Sequence, residues 1–381
     1  MGDGASPTAT GECGLVGRYD ELAELDAAVG RLQRRQPQVG LEIVGEAGLG
    51  KSSLLSELEV RAEAFGATVL HGRASQFERD LPFGALRTAL DGLAHGLDGA
   101  ATALRHETHD HVRGLLSELA RDARVVLVLD DLHWADPATL DLVGALIERP
   151  PRGAFLLVVA YRPNQLDGAL PPVIATAAAR GVLRRIAPRP LDLSCATELL
   201  GGQHSHAQVT ELHRLCGGNP YFLVETARAV RSGSWRPPAS DGSPGEPVAV
   251  PPLITGALAT ELLPLSRDAR ALIGAAAVLG DPFDIDLAGA VAELDDGALA
   301  RAVDQLALVG LVRPSAGPRR FRFRHPLTRQ AIHDDLPLGS RRLAHRRAAA
   351  VLTAAHADTP TIAHHVAQSA EQGDLEAVAV L

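Results

Sequence analysis

Between residues 39 and 188 short apolar runs alternate with amphipathic stretches. The segments "VGLEIVG" (39–45), "ATVLHG" (67–72), "RVVLVLDD" (124–131), "AFLLVVAYR" (154–162) and "GVLRRIAP" (181–188) are aliphatic runs bounded by Gly, Pro or charge, the pattern of buried strands. Apolar residues at helical spacing fill 19–33, and further helical stretches fall between the strands at 83–95, 110–121 and 138–148. Strands alternating with helices predict an α/β fold: a parallel sheet covered on both faces.

After residue 190 the strand pattern stops. "CATELLGGQ", "HAQVTELHRLC" and "PYFLVETARAVRSG" predict a small helical unit over 191–231. Residues 232–252 are rich in Pro, Gly and Ser and read as a linker. From 253 to 345 three helical segments precede "GLVRPS" and "RRFRFRH", then a final helix; helices followed by a two-stranded ribbon predict a winged-helix domain. Residues 346–381 read as the start of a helical repeat: a helix, a Gly-Asp turn and a second helix. Residues 1–13, mostly small and polar, are expected to be a disordered lead-in before an α/β core over 14–190.

The composition changes this picture little. Hydrophobic residues make up 46% and charged residues 22% of the 381, as in an ordinary globular protein, while 3% aromatics leave the core to Leu, Val, Ile and Ala. A net charge of −9 argues against an overall surface made to wrap nucleic acid. Cys13, Cys195 and Cys216 match no metal-ligand spacing and fit a reducing compartment. The N-terminus has no signal-peptide pattern, and no stretch approaches the ~18 apolar residues of a membrane span, so the expectation is a cytoplasmic protein without a membrane partner. His106, His109 and His111 read as solvated positions at a polar helix start. His364 and His365, adjacent on a helix, are expected to point to different faces and so not to act as paired ligands.

Charge is informative in two places. Residues 311–350 hold ten arginines against Asp334 and Asp335. Such a basic face could bind DNA, or could meet the acidic core or a nucleotide; the strongly negative balance elsewhere favours the second. More telling, of 37 basic residues 36 are arginine, and the single lysine is Lys51.

Lys51 lies in "GEAGLGKS" (45–52), which fits the phosphate-loop pattern G-x-x-x-x-G-K-[ST] without a mismatch. The glycines let successive backbone N–H groups of Gly45, Glu46, Ala47, Gly48, Leu49, Gly50, Lys51, Ser52 and Ser53 turn toward phosphate oxygens. The helix that follows adds the positive end of its dipole. Lys51 then reaches the β and γ phosphates as a flexible point charge, where arginine's planar fork would not fit. Ser52 offers its hydroxyl to Mg2+. The run "VVLVLDD" delivers Asp130 and Asp131 to a strand's C-terminal edge, where ligands bind in open α/β sheets. Asp130 is the candidate to hold Mg2+, directly or through water, and Asp131 to orient or deprotonate the attacking water. Arg162, at the end of the next strand, is placed either to sense the γ-phosphate or to cap the strand at the surface.

Together "LVGRYDELAEL", "GEAGLGKSSLL", "VLVLDDLHWADPATLDLV", "VVAYRP", "CGGNPYFLVE" and "FRFRHPLTRQAIHDDLP" resemble the signal-transduction ATPases with numerous domains (STAND), in particular the ATPase part of the large LuxR-type transcription regulators related to the maltose activator. The resemblance runs from about residue 14 to the end. It implies a P-loop ATPase core with strand order 5-1-4-3-2, followed by a helical lid and a winged helix. It also implies that Val16, Gly17 and Arg18 lie against adenine and ribose, that Gly218, Asn219 and Pro220 form the lid turn whose proline packs on the base, and that His325 contacts the β-phosphate of ADP. The family's behaviour is a switch, closed with ADP, open and self-associating with ATP, reset by slow Mg2+-dependent hydrolysis, with an effector or regulatory protein as partner. The resemblance stops short of the long sensor repeat and the C-terminal helix-turn-helix of those regulators, so DNA binding by this chain is not expected.

Three readings follow from these features. The first is a slow ATPase acting as an ADP/ATP switch in a transcriptional regulator. The second is a rapid stand-alone ATPase, and the third a DNA-binding regulator acting through its winged helix. The lid, the linker and His325 favour the first.

Overall fold

The computed structural model describes residues 15–36, 40–75, 79, 81–90, 105–163, 165, 166, 168–235, 250–317 and 319–370. The expected lead-in, most of the expected linker and the second helix of the terminal repeat lie outside them. The chain divides into two compact units, Met1–Leu191 and Asp192–Leu381.

In the first unit five parallel strands, β1 (Gly40–Val44), β2 (Thr68–Arg73), β3 (Arg124–Asp130), β4 (Ala154–Tyr161) and β5 (Leu183–Ile186), are ordered β2-β3-β4-β1-β5. Taken from the other edge this is the order 5-1-4-3-2 that the resemblance implied. The reason these runs form interior strands is plain in β4: all eight residues of AFLLVVAY are buried, which only a strand covered on both faces permits. Side chains alternate between the faces. Val125, Leu127 and Leu129 of β3 pack with α3 (Gly84–Ala89), α4 (Arg105–Asp122), α5 (Pro137–Glu148) and α6 (Leu170–Ala179). Val126 and Val128 pack with α1 (Tyr19–Gln33) and α2 (Lys51–Glu63) on the opposite face.

An acid sits in the middle of this apolar sheet. Glu42 of β1 has no exposed surface; its carboxylate accepts hydrogen bonds from Tyr161 Oη at 2.6 Å and Arg185 Nε at 2.7 Å, partners supplied by the strands on either side. Asp136 is likewise structural. It caps α5 by accepting from Thr139 N at 2.9 Å, with Pro137 at the first helical position, and accepts from Phe83 N at 3.0 Å.

The second unit is mainly helical. Its first cluster joins α7 (Leu193–Leu199), α8 (His206–Cys216), α9 (Pro220–Arg231), α10 (Pro252–Leu262) and α14 (Pro326–Asp335) through Leu212, Phe222, Leu223, Ile254 and Leu327. A full capping box at Ser205 and Gln208 begins α8, and Asn219 begins α9 by accepting from Tyr221 N and Phe222 N. A second cluster is built by α11 (Arg267–Leu279), α12 (Ile285–Val291), α13 (Asp296–Leu308) and three short antiparallel strands, β6 (Phe283–Asp284), β7 (Val312–Pro314) and β8 (Arg320–Phe323), ordered β6-β8-β7. The ribbon expected over 253–345 is present, but four helices, α10 to α13, precede it where three were expected, and β6 adds an edge. α15 (Leu338–Ala354) packs on α11 and α12 through Ala348 and spans residue 346; α16 (Thr359–Ser369) packs on α15.

One expectation is corrected here. His364 and His365 both reach His345 of α15, at ring-centroid distances of 6.0 and 5.1 Å. Neighbouring helix positions diverge by about 100°, not 180°, so a side chain from the adjacent helix that lies between the two directions meets both rings.

Candidate nucleotide-binding site

The loop between β1 and α2 takes the conformation its glycines allow. Gly48 and Gly50 have φ of +78° and +92°, a region strained for any L side chain. A Cβ on Gly50 would meet nothing within 4 Å, so backbone conformation, not space, requires glycine there. α2 begins at Lys51, leaving the first N–H groups of its 13-residue helix without intrahelical partners and directed at the loop. Lys51 Nζ curls back to donate to Gly45 O at 2.8 Å and Glu46 O at 3.0 Å. Its ammonium is thus held among the loop carbonyls by the curvature of the loop itself.

Strand order brings the acids to this loop. β4 separates β1 from β3, and the C-terminal ends of the parallel strands share one edge. Ser52 Oγ donates to Asp130 Oδ2 at 2.9 Å, uniting the two residues expected to hold a cation across 78 residues of sequence. Asp130 is buried, and its other oxygen accepts from Asp131 N at 2.8 Å. An exposed hydroxyl against a buried carboxylate is an all-oxygen donor set suited to a hard cation such as Mg2+.

Asp131 stands in the left-handed region at φ +53° and is ion-paired with Arg73, whose Nε and Nη2 lie 3.0 and 2.8 Å from Asp131 Oδ2. Arg73 ends β2 and aligns with Asp130 in the β2–β3 register. Arg162 follows β4 at the same sheet edge and is half-buried. Val16 and Gly17 precede α1, Gly17 with φ +67°. Arg18 is buried and donates to Leu49 O at 2.9 Å and Arg189 O at 2.6 Å, so its guanidinium fastens the phosphate loop to the segment after β5. Glu46, Ala47 and Leu49 lie within the loop, and Ser53 is exposed on the first turn of α2.

The remaining expected residues lie in the second unit, where they form one local cluster. His325 Nδ1 lies 2.5 Å from where a Cβ on Gly217 would stand, and the His325 ring meets Phe222 edge-on at 5.5 Å. Gly217 and Phe222, which flank the turn of Gly218, Asn219 and Pro220, are therefore packed on His325, and Gly217, at φ +58°, admits no side chain. His325 is buried, and neither ring nitrogen has a hydrogen-bond partner. Burial pushes its pKa down to about 3, with the charges of Arg324 and Arg313 adding to the effect, so the ring is neutral.

Two residues of the first unit escaped the sequence reading. Arg73 had one signal: a basic residue at the C-terminal end of a strand neighbouring "LVLDD". His133 had another: a polar residue two positions after the paired acids, beyond Leu132. It is buried with both ring nitrogens unpartnered, and burial together with the charges of Arg162, Lys51 and Arg79 lowers its pKa to about 2. The unfolded ring titrates near 6.5, so below about pH 6.5 the unfolded chain binds a proton that the folded chain refuses, and stability falls as pH drops toward about 2. Between about pH 7 and pH 5 this one imidazole is expected to cost the parent about 2 kcal/mol more than it costs the variant His133→Leu. Urea titrations of both proteins at the two pH values test this; equal losses would remove His133 as the source.

A phosphate loop at the end of β1, a Ser–Asp pair joining α2 to β3, and a 2-3-4-1-5 sheet define the class of P-loop ATPases. Residues 14–159 match the AAA ATPase domain family. The chain is 26% identical over 418 residues to an uncharacterized protein of Rhizobium meliloti (strain 1021), with 92% of this chain and 39% of that protein covered, so it spans less than half the relative's length. Among solved structures it is similar to the ORC2 protein of Aeropyrum pernix (ADPNP-ADP complexes), with a TM-score of 0.51, 15% identity, and 90% and 95% of the two chains covered. It is also similar to a STAND protein with a tetratricopeptide repeat sensor from Pyrococcus horikoshii, with a TM-score of 0.36, 13% identity, and 94% and 48% covered. At 15% identity the likeness to the ORC2 protein is one of fold. Among the described residues no helix is long and apolar enough to cross a membrane.

Proposed function

We propose that this chain binds ATP and ADP with Mg2+ at Gly45–Ser53, hydrolyses ATP slowly, and acts as an ADP/ATP conformational switch in a cytoplasmic transcription regulator of the LuxR type. The observation that carries the reading is the Ser52–Asp130 hydrogen bond beside Lys51, because it assembles a phosphate cradle, a cation and a cation-binding oxygen pair at one sheet edge. Bound there, Mg2+ would be held by Ser52 and Asp130 and would supply positive charge to phosphate oxygens. Asp131 orients the attacking water or takes its proton, and Arg162 answers to the γ-phosphate. The Arg73–Asp131 ion pair supports slow turnover, since it occupies one oxygen of the carboxylate that would serve water.

In this reading Val16 and Gly17 contact the base and ribose, while Arg18 keeps the loop in shape. Gly218, Pro220 and His325, joined in one cluster, are assigned to nucleotide sensing, and α11–α13 with the β7–β8 ribbon to a winged helix. The ATP form self-associates or receives an effector or regulatory protein, and the basic stretch 311–350 serves internal contacts rather than DNA. Chromatography of the small molecules released on denaturing protein purified without added nucleotide tests the reading. About one ADP per chain, with turnover far below the ~10 s⁻¹ of a typical enzyme, is the expected result. Protein that comes free of nucleotide and turns ATP over at such rates would replace the switch by a working ATPase.

A further inference from the structure

Four histidines meet in the second unit, none of them a residue that the nucleotide reading uses. His333 comes from α14, His345 from α15, and His364 and His365 from α16. One ring nitrogen from each of His345, His364 and His365 falls within 4.8 Å of the others. His345 and His365 are buried and His364 is exposed, so the group is anchored in packed helices and open to solvent on one side.

The hydrogen bonds assign the tautomers. Asp334 Oδ1, an acceptor, lies 3.2 Å from His333 Nδ1 and 2.9 Å from Gln330 Nε2. His333 therefore carries its proton on Nδ1, and its Nε2 lone pair faces His345 Nε2 at 3.5 Å. That pairing places the His345 proton on Nε2, which leaves the Nδ1 lone pair pointing at His365 Nδ1, 2.9 Å away. Two buried imidazole nitrogens thus converge, and one of them is backed by a chain ending in a carboxylate. This is how metal-binding histidines are oriented: the ring's second nitrogen donates outward, ultimately to a carboxylate. A hydrogen bond between His345 and His365 alone would need no third ring, yet His364 stands beside both.

We propose that His345, His364 and His365 bind one Zn2+ ion, with His333 and Asp334 as the outer groups that orient His345. Three imidazoles are a donor set suited to Zn2+, and a tetrahedral site with bonds of about 2.0 Å puts ligand nitrogens about 3.3 Å apart. The His345–His365 separation is already close to that value. The exposed His364 makes the remaining adjustment, and water or an external group takes the fourth position. At neutral pH the two buried rings are unprotonated and ready to ligate: burial, and then the neighbouring imidazoles, push His345 to about 3 and His365 to about 4. The ion would pin α16 to α15.

The test is calorimetric titration of the full chain with Zn2+, with thermal melts with and without the ion and circular dichroism to check the fold. One Zn2+ per chain with micromolar affinity is expected, together with a rise in melting temperature. His364→Ala removes an exposed ring and leaves the packing intact; it should weaken binding more than about 10-fold and abolish the thermal shift. Asp334→Asn, which perturbs only the backing chain, should weaken binding about 10- to 100-fold. Failure of the parent to bind stoichiometric Zn2+, or undiminished affinity in a normally folded His364→Ala, would overturn the proposal.

Discussion

Lys51→Ala is expected to weaken ATP binding by at least about 100-fold, equivalent to about 3 kcal/mol. The ammonium is now satisfied by Gly45 O and Glu46 O, and a phosphate arriving in the loop replaces weak neutral acceptors by charged ones. Alanine removes that gain without disturbing the glycine-dependent curvature or the first turn of α2. Lys51→Arg should fail almost as badly, because a planar five-donor fork cannot follow the lysine's path into so tight a loop. Calorimetry with ATP on the parent and both variants decides the matter, and an affinity within a few-fold of the parent in Lys51→Ala would remove the phosphate-loop assignment.

Asp131→Asn should behave in the opposite manner, leaving nucleotide affinity near the parent value while lowering hydrolysis about 10²- to 10⁴-fold. Ser52 and Asp130 remain to hold the cation, so binding has no reason to suffer. What is lost is the charge that takes or orients the proton of water. Because Asp131 is also the partner of Arg73, the variant Arg73→Ala serves as the comparison: it frees the carboxylate and should preserve or raise turnover. Single-turnover hydrolysis with bound ATP separates chemistry from binding. Parent-like rates in Asp131→Asn would assign the water to another group.

Legibility in the sequence followed the range of the interactions. The interior strands β1, β3 and β4 were readable because central parallel strands are apolar on both faces, and β4 announces itself by eight buried residues in succession. The phosphate loop was readable because its chemistry is local: two glycines at positive φ, a lysine and a hydroxyl within one turn of backbone. Asp130 was readable as the acid ending an apolar run. The carboxylate of Glu42 could be seen as an anomaly in a strand, but not its remedy, since Tyr161 and Arg185 come from β4 and β5.

What the chain settled by itself was therefore whatever depends on spacing along a strand, a helix or a single loop: the α/β class, the run of elements, and the residue types that cradle phosphate. Strand order carried the rest of the first unit. Arg73 reaches Asp131 because β2 lies beside β3 in register, and Ser52 reaches Asp130 because only β4 separates β1 from β3. In the second unit His364 and His365 looked unrelated when α16 was considered alone, and they became partners once α15 placed His345 between them. Local periodicity tells which way a side chain leaves its own element. Which group it meets is decided by the neighbouring element, whose place is set by long-range packing.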